Sequence, residues 1–563
     1  MTVALIPPAL DQVLVGSIER SRHPDLKAVF LIGATQQQFP IPVHYDNILN
    51  DSDRKVTSDV GFELARTGSM QLVERRYLAY IAFTRPSCFL YITYPLTDEK
   101  GSEIQPSFLI SQLKSLFTDL KEGKYFGSRD VLNKSDLTAL LASRLGKDNL
   151  SPADDIDAKC KWLLDTALKD YDLTKIKSAI DYKNTARLDN LPPQKILCTS
   201  ATKLKSFASC PYQHFARHSL ELKERRFFEL EPFSLGLFFH KVLELLFNHL
   251  KSIDHSIYDA DPDMLERFVD KMVEKLLIKD SFLKSFNART KHNSFIILSA
   301  AQMIKDAVLE FSQIASAGSF LQIASEIGFG DKFPLPAVEI KLENDKKLHI
   351  EGKIDRVDIA SKAGKSYCLV VDYKRSQTAI NWSLFSAGLD LQLPIYLLAV
   401  RNQTIEKCKN IVPAGAFYFQ IQASPDSADL SEIDKKADKI KRKPKGIFNG
   451  EYFKLIDGKT ETSYSPFYNF RITQKEKQFG VYDKSSLLTD EHSSAVLSFA
   501  ENKLKELGDR ILSGTIDITP YRYEKNIACT YCPYKSFCRF DWQINDYSEV
   551  KKISKMDFFE SIK

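Results

Sequence analysis

The chain has 563 residues, 44% of them hydrophobic and 27% charged, the composition of a soluble globular protein long enough for three or four domains. Its 78 Lys and Arg against 73 Asp and Glu leave a net charge of +5, too slight to argue for a nucleic-acid partner, so any such claim must come from a site. Apolar runs such as Cys88-Phe89-Leu90-Tyr91-Ile92 fall far short of the roughly 20 residues of a membrane span, and residues 1–15, without a basic start and broken by Pro7-Pro8, do not resemble a secretory signal; a cytoplasmic protein is expected.

In chain order, residues 28–33 predict a buried strand ending at Gly33, residues 74–82 a helix, and residues 89–93 a second strand, so residues 1–98 read as an α/β segment. Residues 99–195 read as a helical connector, with helices over 107–120, 135–145 and 157–168. After Pro192-Pro193 a third unit, 196–563, opens with helices over 200–208, 235–250, 262–277 and 297–315. Strands follow over 337–342, 348–359 and 367–372, then a helix over 389–400. The fold class this predicts is α/β, a mixed sheet flanked by helices. The basic run from Lys435 through Lys439, Arg442 and Lys445 reads as a solvated loop.

The most chemical stretch is Gly352-Lys353-Ile354-Asp355-Arg356-Val357-Asp358, a turn around Ala363-Gly364-Lys365, then Leu369-Val370-Val371-Asp372-Tyr373-Lys374. Two strands joined by a glycine-containing turn form a hairpin. Period-two geometry puts Asp372 and Lys374 on one face and Tyr373 on the other. If Asp355 projects to the same point, two carboxylates and an ammonium converge, an arrangement suited to Mg²⁺ or Mn²⁺. Lys374 could then orient a water or steady the charge of a phosphate. The plain alternative is a surface hairpin with a solvated Asp/Lys pair. Against it, the apolar run before Asp372 marks a buried strand, whose end is an expensive place for a lone charge. Downstream, Gln392 and Tyr396 lie one helical turn apart, able to bind a phosphate or a base edge. Upstream, His240 sits on an otherwise apolar helix, where a histidine is commonly a satisfied core residue.

The nine cysteines are unevenly spread, which argues for a metal or cluster site over a disulfide framework. Cys529, Cys532 and Cys538 form a C-x₂-C-x₅-C triplet that needs a fourth ligand, and Cys210 is the evident partner. Four thiolates fit both tetrahedral zinc and an iron–sulfur cubane. The other cysteines, Cys88, Cys160, Cys198, Cys368 and Cys408, read as core or surface residues.

The order Gly236-x-x-x-His240, Gly352-x-Ile354-Asp355-Arg356, Asp372-Tyr373-Lys374 and Gln392-x-x-x-Tyr396 resembles the RecB-type nucleases of the PD-(D/E)XK superfamily over residues 196–545. Within that group it looks most like the C-terminal nuclease domain of the AddB family of helicase–nuclease subunits. By that resemblance His240, Asp355 and Asp372 are metal ligands, with the Tyr373 carbonyl as a fourth. Lys374 is the catalytic lysine, Gln392 and Tyr396 contact the DNA strand, and Glu339 is a further acidic candidate. The resemblance also favours a [4Fe–4S] cluster on Cys210, Cys529, Cys532 and Cys538, a structural staple. Residues 74–85, Glu-Arg-Arg-Tyr-Leu-Ala-Tyr-Ile-Ala-Phe-Thr-Arg, are similar to the last motif of UvrD-like helicases, in which Arg85 would touch a γ-phosphate. No G-x-x-x-x-G-K-[ST] phosphate loop occurs, so ATP hydrolysis is not expected of this chain. The segment looks like the end of a helicase-like motor domain whose first half is missing. Together these imply a Mg²⁺-dependent single-strand DNA exonuclease acting in double-strand break repair with an AddA-like helicase partner. A stand-alone iron–sulfur exonuclease and a non-catalytic DNA-binding scaffold are the other readings.

Overall fold

The computed structural model describes residues 13–19, 26–43, 50–64, 66–98, 102–120, 122–123, 188, 195–223, 232–376, 378–406, 408–423, 440–460, 464–473, 479–542 and 545–562. Pro7-Pro8, the predicted helices over 135–145 and 157–168, Cys160 and Lys435 to Lys439 lie outside them. Two units are distinguished, Met1–Tyr182 with Asp541–Ile544, and Lys183–Phe540 with Asn545–Lys563.

In the first unit β1 (Leu26–Ile32) pairs parallel with β2 (Pro86–Thr93). Helix α1 spans Asp51–Asp59 and α2 spans Gly68–Thr84, the latter started by Thr67, whose side chain accepts the Met70 amide. Arg85 is the residue that caps the C-terminal end of α2. A third helix, α3 (Phe108–Leu116), begins the predicted connector. Leu31, Ala34, Phe39, Ala79, Ala82 and Ile110 form its small core. The predicted strand at 28–33 is present but is not buried: Phe30 is 64% and Ile32 82% exposed. Among the described residues nothing packs over the apolar side chains on the outer face of this strand pair.

The second unit is a mixed sheet with helices on both faces. Its strands are β3 (Ile196–Ser200), β4 (Leu321–Phe329), β5 (Val338–Lys341), β6 (Lys347–Lys362), β7 (Lys365–Lys374), β8 (Val412–Gln420), β9 (Lys445–Asn449) and β10 (Leu487–Leu488). They run in the order β10-β9-β8-β7-β6-β3, with β4 and β5 also pairing with β6. Strand β6 is long enough to serve two sets of neighbours. Its first half pairs with β3 and β5, its second half with β4 and β7. The β6–β7 connection is a two-residue turn, Ala363 and Gly364, both at positive φ (49° and 75°) as a type I′ hairpin requires. Strands β7 and β8 are parallel, so the chain between them must cross over, and it does so through α9, introduced below.

Helices α4 (Ala201–Ser209), α5 (Pro232–Ser252), α6 (Pro262–Lys279), α7 (Ser281–Arg289) and α8 (Lys291–Ala315) precede the long strands, and α9 (Gln392–Val400), α10 (Asp490–Leu512) and α11 (Lys555–Ser561) follow. One face of the sheet presents Val371, Tyr373, Phe417 and Phe419 to Phe239, Val242, Val269, Ile304 and Phe311 of α5, α6 and α8. The other presents Ile354, Val357, Val370 and Ala416 to Leu204, Ile395, Ala500 and Phe558. Burial on both faces is why β7 reads as a continuous apolar run. The expected α/β fold is therefore what the chain adopts, although β4 and β8 were not among the predicted strands. The basic run is also not all solvated: Arg442 is buried, donating to Glu310 Oε1 at 2.6 Å and to the Ile421 carbonyl at 2.8 Å.

Candidate active site

The second half of β6, the end of β7, and the starts of α5 and α9 meet at one edge of the sheet, and each brings a polar side chain. Helix α5 buries Phe239, Val242, Leu243 and Leu246 against the sheet, and the neighbouring position carries His240 toward β6. His240 Nδ1 lies 3.3 Å from Asp355 Oδ1 and 3.7 Å from Glu326 Oε1. Asp355 Oδ2 accepts the Tyr373 amide at 2.7 Å across the β6–β7 ladder, which fixes the carboxylate in place. From β7, Asp372 is 1% exposed and its Oδ2 lies 2.6 Å from Lys374 Nζ. As the strand period requires, Tyr373 points to the opposite face, its ring parallel to Phe247 at 6.3 Å.

Helix α9 is buried all round from Leu393 to Val400, so its one polar side chain at the first turn has a defined direction. Gln392 accepts from Lys374 Nζ at 3.0 Å, donates to Asp372 Oδ1 at 2.7 Å, and donates to Tyr396 Oη at 2.8 Å. One amide thus ties together the lysine, the carboxylate and the tyrosine. Lys374 also lies 5.3 Å from the centre of the Tyr418 ring.

The electrostatics follow from burying like charges together. Burial, reinforced by the Asp355 charge and opposed by Lys374, pushes Asp372 up to about 7. Burial alone would lower His240, but its hydrogen bonds to Asp355 and Glu326 outweigh that and push it up to about 10. Glu326 is likewise held below the ordinary carboxylate range, its burial outweighed by His240 and by Lys353, 2.7 Å away. Donor atoms of His240, Glu326 and Asp355 all fall within 4.8 Å of one another. Without a metal, the protonated His240, with Lys353 and Lys374, offsets the repulsion among the Glu326, Asp355 and Asp372 carboxylates; a divalent cation among them would take over that role. The donor set of nitrogen and carboxylate oxygen suits a divalent cation.

Of the residues singled out from the sequence, His240, Asp355, Asp372, Lys374, Gln392 and Tyr396 are brought together, and the Tyr373 backbone passes through the same place. Glu339 is not among them. It lies on β5, which pairs with the first half of β6 so that Glu339 faces His349, and its side chain is 2.9 Å from Lys347 Nζ. The acidic residue opposite Asp355 comes instead from β4, where Ser325 faces Arg356 and Ile327 faces Ile354. That residue is Glu326, held at φ 51°, a backbone region that side-chain-bearing residues seldom enter inside a strand. Only the pairing of β4 with β6 reveals it, and that strand carries no motif of its own.

The four cysteines lie near enough to influence one another's ionisation. Cys210 follows α4 and is buried; burial and the nearby Cys532 and Cys538 push its thiol up to about 11 against the pull of two backbone amides. Burial, with Cys210, Cys532 and Cys538 beside it, pushes Cys529 up to about 12. Thiols far apart in sequence thus sit close enough to affect one another's ionisation. No described helix is long and apolar enough to cross a membrane.

Residues 199–539 match the PD-(D/E)XK nuclease superfamily. The chain is 30% identical over 586 residues to an ATP-dependent helicase/deoxyribonuclease subunit of Natranaerobius thermophilus, covering 100% of this chain and 49% of that protein. The protein of the same name from Bacillus subtilis is 29% identical over 593 residues, 100% of this chain and 50% of its own. The chain therefore spans about half the length of the curated relatives it matches.

Proposed function

Because the chain belongs to the PD-(D/E)XK nuclease superfamily, we propose that it is an AddB-type protein acting as a Mg²⁺- or Mn²⁺-dependent deoxyribonuclease that cuts single-stranded DNA. The observation that carries this is the convergence of Asp355, Asp372, His240 and Lys374, drawn from three elements, on one point where two carboxylates, an imidazole and an ammonium are held together. His240, Asp355, Asp372 and the Tyr373 carbonyl would hold the cation, with Glu326 beside them. When bound, it supplies Lewis-acid charge and lowers the pKa of a water for attack on a phosphodiester. The protein's own groups do the rest. Asp355 is oriented by the Tyr373 amide. Gln392 holds Lys374 and Asp372 in register, so the ammonium faces the developing negative charge of the phosphate. The part-buried Gln392 amide would face the strand, whereas Tyr396, expected to touch the DNA, is buried and instead accepts from Gln392 Nε2, holding that amide in place.

Cys210, Cys529, Cys532 and Cys538, thiols from the two ends of the matched region that lie near enough to influence one another's ionisation, would hold a [4Fe–4S] cluster. Its role is to pin those ends together. The relatives' shared name supports a partner helicase of the AddA type, and with it work on a strand unwound from a duplex end during double-strand break repair.

The test is cleavage of single-stranded DNA by anaerobically purified protein, with Mg²⁺ and with EDTA, beside a folded Asp372→Ala variant. Cutting that needs Mg²⁺ and disappears in the variant is expected; cutting that survives in Asp372→Ala would overturn the assignment.

A further inference from the structure

A second group of metal-ligand side chains lies on the first half of β6, away from the residues above. Parallel pairing sets Cys198 of β3 directly beside His349 of β6, and antiparallel pairing sets Glu339 of β5 on its other side. Direct partners point to the same face, so Cys198, His349 and Glu339 form one row across three strands. Asp331 joins them from the turn after β4, delivered by Gly330 at φ 140°. His349 stands six positions before Asp355, about 20 Å along the strand path.

Three features of this row point to a ligand. Cys198 Sγ, an Asp331 oxygen and a His349 nitrogen all lie within 4.8 Å of one another. Both ring nitrogens of His349 are sealed from solvent, and neither has a hydrogen-bond partner, an arrangement that native proteins rarely leave unexplained. Carboxylates nevertheless flank the ring, Asp331 Oδ1 at 3.6 Å from Nδ1 and Glu339 Oε2 at 3.3 Å from Nε2. Glu351, two residues on along β6, accepts the Asp331 amide at 3.4 Å and so borders the same space. Burial, with the charges of Glu351 and Asp331, raises the Cys198 thiol.

We propose that Cys198, Asp331 and His349 form a zinc site, in which His349 binds through Nδ1 while Glu339 fixes its ring from Nε2. Sulfur, nitrogen and oxygen donors in one group suit Zn²⁺ and not Mg²⁺. A carboxylate behind a ligating imidazole is the usual support of such a site. Three protein ligands leave one coordination position, which Glu351 or water fills. Binding displaces the thiol proton from Cys198. The ion would fasten the edge strand β3, which leads straight into α4 and Cys210, to the body of the sheet. This inference does not depend on the nuclease reading.

The test is titration of the EDTA-washed full-length chain with Co²⁺ as a spectroscopic probe, followed by competition with Zn²⁺. Cys198→Ser, His349→Gln and Asp331→Asn retain Cys210, Cys529, Cys532 and Cys538, so metal taken up there cancels in the difference. The wild type should bind one equivalent more than Cys198→Ser or His349→Gln, with a thiolate-to-cobalt absorption that both lack and that Zn²⁺ abolishes. Cys198 and Asp331 are exposed, so their substitution leaves the fold intact. Glu339→Gln should weaken binding by about tenfold, the effect of losing a carboxylate behind a ligand. Equal stoichiometry and equal absorption in the wild type and the variants would overturn the site.

Discussion

Gln392 shows how one uncharged side chain can set the chemistry of two charged ones. Its oxygen holds Lys374 and its nitrogen holds Asp372, so neither group is free to turn away. Gln392→Ala should lower the rate of DNA cleavage by about 10–100-fold with folding unchanged, the range expected when supporting contacts are lost. Single-turnover measurements at saturating DNA would read this, and an unaltered rate there would confine Gln392 to strand binding. A second expectation concerns protons. Without metal His240 keeps its proton up to about pH 10 and Asp372 up to about pH 7, and both must release it to act as ligands. Metal affinity should therefore fall by about tenfold for each pH unit dropped above about 7, and more steeply below, where Asp372 also protonates. The half-saturating Mg²⁺ concentration measured from pH 8.5 to 6, in steps of roughly half a unit, checks this; a flat dependence contradicts it. At this scale the sequence is highly legible. Asp372 and Lys374 follow from the strand period, and Gln392 and Tyr396 from the helical one. Glu326 does not, because it is defined by a cross-strand partner and a rare backbone angle, neither of which leaves a local trace.

The β6–β7 hairpin carries two of the site's acids, so its turn controls their register. Both turn residues are left-handed, which glycine accepts at position 364 but alanine tolerates poorly at 363, by roughly 1 kcal/mol. Asparagine is the residue preferred before glycine in this turn. Ala363→Asn should raise the unfolding free energy by about 0.5–1 kcal/mol and leave cleavage unchanged; chemical denaturation would show it, and a lowered midpoint would refute it. Other elements explain why strands escaped notice. Strand β8 opens with Val412-Pro413-Ala414-Gly415, residues that read as a break. Gly415 is there because a Cβ would stand 2.5 Å from Phe448 Cδ2 on β9. Close packing between strands selected against the residue types that announce a strand. The helices were read better, since α5, α6 and α8 each bury one repeating apolar face.

Across the second unit, the chain leaves Cys210, builds every strand of the large sheet but β3 and most of both helical layers, and returns to Cys529 more than 300 residues later. A link between those points would close a loop around nearly everything that positions the active site. In the chain-entropy account, closing a loop of that length removes about 5–6 kcal/mol of unfolded-state freedom. Both the spacing of the triplet and its partnering with Cys210 were expected from the sequence, and in the folded unit burial raises the Cys210 thiol, with Cys532 and Cys538 close enough for their charges to raise it further. None of the four cysteines is among the groups that shift His240, Glu326 or Asp372, so stability and catalysis should respond to different substitutions. Cys532→Ser should lose iron and visible absorbance, unfold at a lower temperature, and cut DNA in proportion to the fraction still folded. Asp372→Ala should keep iron, colour and thermal midpoint while losing cleavage. Iron content, thermal unfolding and cleavage measured on both variants separate the two roles. A Cys532→Ser protein that retains its iron and its midpoint would remove the staple from this account and leave the nuclease site standing on the carboxylates alone.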